Sequence, residues 1–272
     1  MILVGASPLA LVLPAAAALA YAVPALAARV LGAVSARRVL LLAWVLHGML
    51  LAWNMSRGQP RFGFAPALSV TVWLALTVYV VESQLYPQLR ARWALAGFGT
   101  LAVVLSVLFP GEPLPATNSA LLPLHWALGI AAYGLMAAAV VHGWMMERQD
   151  RQMRQRAAAA QPAEGGVPLL TLERLMFRFV SAAFVVLTLT MLAGMFFGHE
   201  LYGRTYAGWR WDYKRVFTLL SWLVLAVLLA GRRWLGWRGR RAAHTLYAGA
   251  ALLLLGYVGS RFVMEVLLAQ AA

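Results

Sequence analysis

Cysteine is absent from the 272 residues, which removes disulfides, thiolate metal sites and dithiol redox exchange from what this chain does by itself. Charge is scarce as well: Asp, Glu, Lys and Arg make up 12% of the chain, and only nine residues are acidic. The few carboxylates form no cluster, and neither a phosphate-binding loop nor a nucleophile beside a base is present, so hydrolytic and nucleotide-driven chemistry has no visible residues. Polar alternation is missing too. Apolar residues run on without the period of two that a membrane barrel requires.

What is abundant is apolar surface. The chain is 62% hydrophobic with a mean hydropathy of +0.74, a composition that makes lipid its main solvent. Uncharged runs occupy 1–28, 39–55, 62–81, 93–111, 113–146, 179–198, 216–231 and 242–260. They predict an all-α polytopic membrane protein of about eight transmembrane helices, since only a helix satisfies every backbone group within its own segment in lipid. The run at 216–231 is short and borrows from Tyr213 onward. Ala25-Leu26-Ala27 has the small residues of a leader cleavage site, but the first basic residue is Arg29, behind an apolar stretch longer than a leader's core. The expectation is an uncleaved first helix that starts outside.

A net charge of +14 would suggest nucleic acid in a soluble protein. Here the basic residues sit in short clusters between the spans, the pattern of membrane topology and not of a nucleic-acid partner. Sixteen of the 23 fall in the connections at 29–38, 90–92, 148–178 and 232–241, and seven in the alternate ones. The positive-inside rule then places the richer side in the cytoplasm and both termini on the outer, periplasmic side. Residues 147–169 read as the main cytoplasmic basic loop, a solvated topology signal.

The same count leaves 198–215 outside, against the charge rule. There Arg204, Arg210, Lys214 and Arg215 are interleaved with Tyr202, Tyr206, Trp209, Trp211 and Tyr213, beside His199 and Asp212. Aromatic rings beside guanidinium groups suit a planar, anionic, hydrophobic ligand, with the rings on its faces and Arg on its carboxylates. An interfacial aromatic belt accounts for the rings equally well, but not for four basic residues. Of the five histidines, His47 lies near the centre of the second span, where an imidazole is costly without a partner; helix-to-helix hydrogen bonding competes there with metal ligation. His125 lies near the outer end of the fifth span and His199 at the outer end of the sixth. His142 and His244 fall toward the cytoplasmic surface and read as solvated or headgroup-facing.

Leu124-His125-Trp126-Ala127-Leu128-Gly129, the later Leu172-Glu173-Arg174-Leu175, and Gly208-Trp209-Arg210-Trp211-Asp212-Tyr213-Lys214 carry a resemblance. So do Gly236-Trp237-Arg238-Gly239-Arg240-Arg241 and Gly256-Tyr257-Val258-Gly259-Ser260. Together they resemble the integral membrane cytochrome c assembly protein family, in particular its short, HemX-like inner-membrane branch. The match is carried by the second half of the chain, and in the first half mainly by Leu46-His47. The resemblance implies an eight-span fold, a bacterial inner-membrane location, and the binding and presentation of haem b at the outer face in cytochrome c biogenesis. Twenty-two Arg against one Lys, with many Ala, fit a GC-rich bacterial genome.

Carried over by position, His125 is the first candidate axial ligand to the haem iron and His47 the second, and Trp209, Trp211 and Asp212 stand for the family's tryptophan-rich motif. His199, Arg204 and Arg210 join them by location and chemistry. The motif is abridged, because Tyr202-Gly203-Arg204-Thr205-Tyr206-Ala207 replaces its first part, no histidine follows His244, and Tyr213 stands where the short branch has a histidine. Five-coordinate haem, a His47–His125 pair, a tyrosine ligand and no haem at all are therefore open at this point. The implied protein is an assembly factor and not a turnover enzyme. Its implied partners are membrane lipid, haem, other maturation proteins and an apocytochrome that supplies the cysteines this chain lacks. The contrasting reading is a haem-free accessory or transport-related protein, for example in ion homeostasis. Glu82, Glu173 and Glu265 near span ends offer it little of an acidic path.

Overall fold

The computed structural model describes residues 8–27, 32–56, 61–85, 92–113, 121–159, 167–198 and 212–268. Helices α1 (Pro8–Leu26), α2 (Ala33–Ser56), α3 (Phe64–Leu85) and α4 (Arg92–Leu108) precede α5 (Leu121–Ala158), α6 (Leu169–Phe196), α7 (Tyr213–Leu235) and α8 (Gly239–Leu254). The all-α membrane fold is as expected, and among the described residues each predicted run overlaps a helix. Six helices are long and apolar enough to cross a bilayer: α2, α3, α5, α6, α7, and α8 with its continuation to Val266. In α1 and α4 the apolar stretches Leu11–Leu26 and Trp93–Leu108 are shorter. The 17 residues of α4 reach about 25 Å at about 1.5 Å per residue, against a hydrocarbon core of about 30 Å.

The described residues belong to two compact units. In the first, α1 packs against α4 and α2, and α3 against α4 and α2. Close approach is built into the sequence: a Cβ on Gly99 would stand 2.8 Å from the Tyr21 ring, and one on Gly48 3.1 Å from that of Trp73. Small residues allow such contacts where lipid provides no hydrophobic drive between helices. The predicted spans met near 112; here Arg61–Phe62 (β1) instead pairs antiparallel with Glu112–Pro113 (β2), in register Arg61 with Pro113 and Phe62 with Glu112. Gly111, at φ 77°, turns the chain into that pair, and a side chain there would run into the Phe62 backbone.

In the second unit α5 lies along α6 and α8, and α7 along α8 and α6. The 38 residues of α5 extend about 57 Å, far beyond a bilayer. The basic stretch read as a loop is therefore helix as far as Ala158. Arg154 pairs with Asp150 at 3.0 Å and Arg151 with Glu147 at 3.5 Å, both one turn apart, which supports a helix beyond the lipid. The Gln149 side-chain amide donates to the Val167 carbonyl at 2.6 Å and ties the entry of α6 to α5. Asp212 starts α7, its carboxylate accepting the Arg215 N–H at 2.8 Å, as an N-cap should. Gly236, in the left-handed region at φ 63°, ends it. Beyond Leu254, α8 widens into π-helical turns over Leu255–Gly259 and again over Val263–Leu268.

Candidate functional site

The two histidines singled out inside the spans have opposite surroundings. His47, on α2, is fully buried in the first unit. Its Nδ1 lies 3.2 Å from the Tyr21 hydroxyl of α1 and its Nε2 2.8 Å from the Ser69 hydroxyl of α3. A neutral imidazole has one donor and one acceptor, so two hydroxyls, each able to give or take a proton, satisfy it completely and join three helices. The Tyr21 ring also meets the imidazole edge-on at 5.6 Å. One turn toward the N-terminus of α2, Trp44 and Trp73 stack in parallel at 5.7 Å. Their indole N–H groups donate to Thr77 Oγ1 at 2.8 Å and to the Trp44 carbonyl at 3.0 Å.

His125 lies one turn into α5 in the second unit and is half-buried. Gly194, near the end of α6, faces it: a Cβ at that glycine would be 3.5 Å from His125 Cε1. The Lys214 ammonium, at the start of α7, is close enough to act on it electrostatically. That ammonium stands 5.1 Å over the Tyr257 ring, in the widened part of α8, and within the field of Arg261. Tyr133, two turns further along α5, donates its hydroxyl to the Leu253 carbonyl at 2.6 Å and fixes α5 to α8 beneath this group. A π-helical turn shifts the side chains beyond it relative to the helix before it. Gly256 lets this segment approach α7, since its Cβ would lie 3.4 Å from the Lys214 carbonyl.

His125 is thus gathered with Lys214, Tyr257, Arg261 and Gly194. Sequence reasoning had grouped Lys214 with the basic residues of 198–215 but had not brought it to His125, and it had not placed Tyr257, Arg261 or Gly194 in the site, although Tyr257 lies in a quoted motif. Asp212, a candidate for the tryptophan-rich motif, is the cap of α7 two residues before Lys214. His199, Arg204, Trp209, Arg210 and Trp211 lie outside the described residues.

The far end of the second unit is ionic. Glu173 is buried and holds Arg232 at 2.9 Å and Arg238 at 4.0 Å. Glu147, also buried, meets His244 Nε2 at 3.3 Å. His244 is exposed as expected, but His142 is not: it is buried, its Nδ1 donating to the Ala138 carbonyl at 2.7 Å, with the Phe179 ring stacked on it at 5.2 Å. Inward rotation on α5 accounts for the difference. Among the described residues no three His, Asp or Glu side chains converge as a metal site would require.

Residues 35–268 match the family described as Cytochrome C assembly protein. The chain belongs to that family. It is 31% identical over 173 residues to the inner membrane protein YpjD of Escherichia coli K12, an alignment that covers 62% of each chain. It is 28% identical over 251 residues to the cytochrome c biogenesis protein CcsA of a Synechococcus strain, with 82% of this chain and 72% of that one covered. The CcsA of Thermosynechococcus vestitus is 26% identical over 240 residues, covering 80% and 71%. The alignment thus spans less than two thirds of the length of YpjD. No solved structure matches. As a member of the cytochrome c assembly family with six membrane-capable helices, the protein is a multi-pass inner membrane protein.

Proposed function

We propose that this protein acts in cytochrome c assembly by holding haem b at His125 and presenting it at the outer face of the membrane, with both termini on that side. The observation that carries the proposal is the convergence of His125, Lys214 and Tyr257 at one end of the second unit, within a chain matched to the family over 35–268. The donor set suits haem: a half-buried imidazole for the iron, cations for the propionates and an aromatic ring for the porphyrin face. His125 would be the axial ligand, Lys214 and Arg261 would attract the propionates, and Trp209 and Trp211, with Arg204 and Arg210, would complete the platform from the external segment. His199 is the further ligand candidate by location. His47 is the weaker one, because both of its nitrogens already serve Tyr21 and Ser69. Asp212 contributes by starting α7 and so placing Lys214.

Haem supplies the iron and the vinyl groups that a cytochrome c carries on thioether bonds; the cysteines for those bonds belong to the apocytochrome, since this chain has none. The residues named here bind and orient, and none forms or breaks a covalent bond. The contrasting reading is a haem-free accessory or transport-related membrane protein. Absorbance spectra of detergent-purified protein expressed with haem supply, oxidised and reduced, separate the two. A near-stoichiometric Soret band lost in His125→Ala is expected. A folded, monodisperse protein without haem makes the second reading the better one.

A further inference from the structure

The connection from α7 to α8 reads Arg232-Arg233-Trp234-Leu235-Gly236-Trp237-Arg238-Gly239-Arg240-Arg241, with five arginines in ten residues. A topology signal needs only the charges, but here they are mounted on a rigid turn. Gly236 and Gly239 take positive φ of 63° and 57°, and the Trp237 N–H donates to the Gly231 carbonyl at 3.1 Å. The Trp237 indole lies so close on Gly231 that a Cβ there would be 2.5 Å from the ring. Glu173 draws Arg232 inward at 2.9 Å, with the exposed Arg238 at 4.0 Å, and the Arg232 guanidinium rests 3.7 Å above the Phe177 ring. Arg241 stacks over Trp237 at 4.1 Å.

Arg233, Arg240 and Arg241 are exposed, and no carboxylate among the described residues pairs with them. Between them Trp234 and Leu235 stand 78% and 70% exposed. A bulky indole and a leucine project from the end of a membrane-spanning helix, next to three exposed guanidinium groups. Such an arrangement matches an amphiphile with an anionic phosphodiester head and acyl chains, because guanidinium grips phosphate oxygens bidentately and Trp sits at headgroup level. A soluble phosphate would use the arginines and leave the apolar pair unused.

We infer that the α7–α8 turn is a binding site for an anionic phospholipid, with Arg233, Arg240 and Arg241 on its phosphate, Trp234 and Leu235 against its chains, and Glu173 as the anchor that sets the turn.

The test uses the full-length protein in phosphatidylcholine nanodiscs, with thermal unfolding followed as phosphatidylglycerol replaces phosphatidylcholine. The wild type is expected to gain several degrees, and the variant R233Q/R240Q/R241Q less than half of that. R151Q/R154Q/R156Q, which removes the same charge from the tail of α5, should respond like the wild type. Glu173→Gln is the sharpest arm, since it makes the protein more positive while releasing the turn. A built site predicts a weaker response to phosphatidylglycerol, and diffuse attraction a stronger one. Equal loss in both arginine triples, a stronger response in Glu173→Gln, or equal stabilisation by inorganic phosphate in phosphatidylcholine discs would each overturn the inference. If Glu173→Gln fails to fold, the two triples still decide.

Discussion

His47 and His125 are the same side chain in the same kind of helix, yet their surroundings differ. His47 is sealed among α1, α2 and α3, with a hydroxyl on each nitrogen. His125 stands near a helix entrance, half-buried, before a glycine and beside the lysine. Away from water, an imidazole is stable only when its donor and acceptor are both met. In the first unit other helices meet them and the residue becomes a fastening; in the second the imidazole is half-buried against Gly194 of α6. Depth in the span is therefore a weaker guide to function than the identity of the partners.

The contrast is broken most directly by exchanging roles. His125→Ala should lower haem occupancy several-fold while His244→Ala keeps the wild-type Soret band; equal occupancy in the two variants removes His125 from the ligands. His47→Ala should do the reverse. It leaves a cavity and two buried hydroxyls without their partner, and is expected to cost about 2–4 kcal/mol of stability, seen as an earlier unfolding midpoint in detergent. The haem bound per folded molecule should not change. A cycle with Ser69→Ala measures the fastening itself: a coupling of about 0.5–1.5 kcal/mol is expected, and a value near zero would mean that the 2.8 Å contact contributes nothing.

Smaller effects sharpen the picture around His125. Gly194→Leu should reduce haem occupancy by filling the space at the imidazole, whereas Gly194→Ala, whose Cβ would make an ordinary 3.5 Å contact, should be nearly silent. Haem lost equally from both would point to a backbone role for the glycine. Lys214→Gln should speed haem loss by a few-fold at low salt, and the difference should shrink as salt screens the charge. A difference that persists at high salt would assign Lys214 a packing role instead.

Much of the fold was written in linear patterns. Long uncharged runs in a chain with 12% charged residues leave helices as the only economical way to satisfy the backbone in lipid, and among the described residues every run overlaps a helix. What the runs could not show is where a helix continues past the lipid: the basic stretch after Glu147 looked like a loop because charge marks the end of a span, not the end of a helix. The ionic contacts that keep it helical depend on a spacing of four residues. Likewise, Glu112–Pro113 pairs with Arg61–Phe62 across a separation that no local pattern encodes.

The site was legible only in part, for the same reason. His125 could be named from its motif and depth, but Gly194, Lys214 and Tyr257 come from three other helices, and nothing in one-dimensional spacing brings them together. His142 was placed by depth at a wet surface, and rotation about the helix axis buried it. The sequence alone determined that this is a helical membrane protein without thiol chemistry, since composition fixes its solvent and the available atoms fix its reactions. Only the tertiary structure decided that His47 is a fastening between three helices, because that depends on what the neighbouring helices place against each of its ring nitrogens.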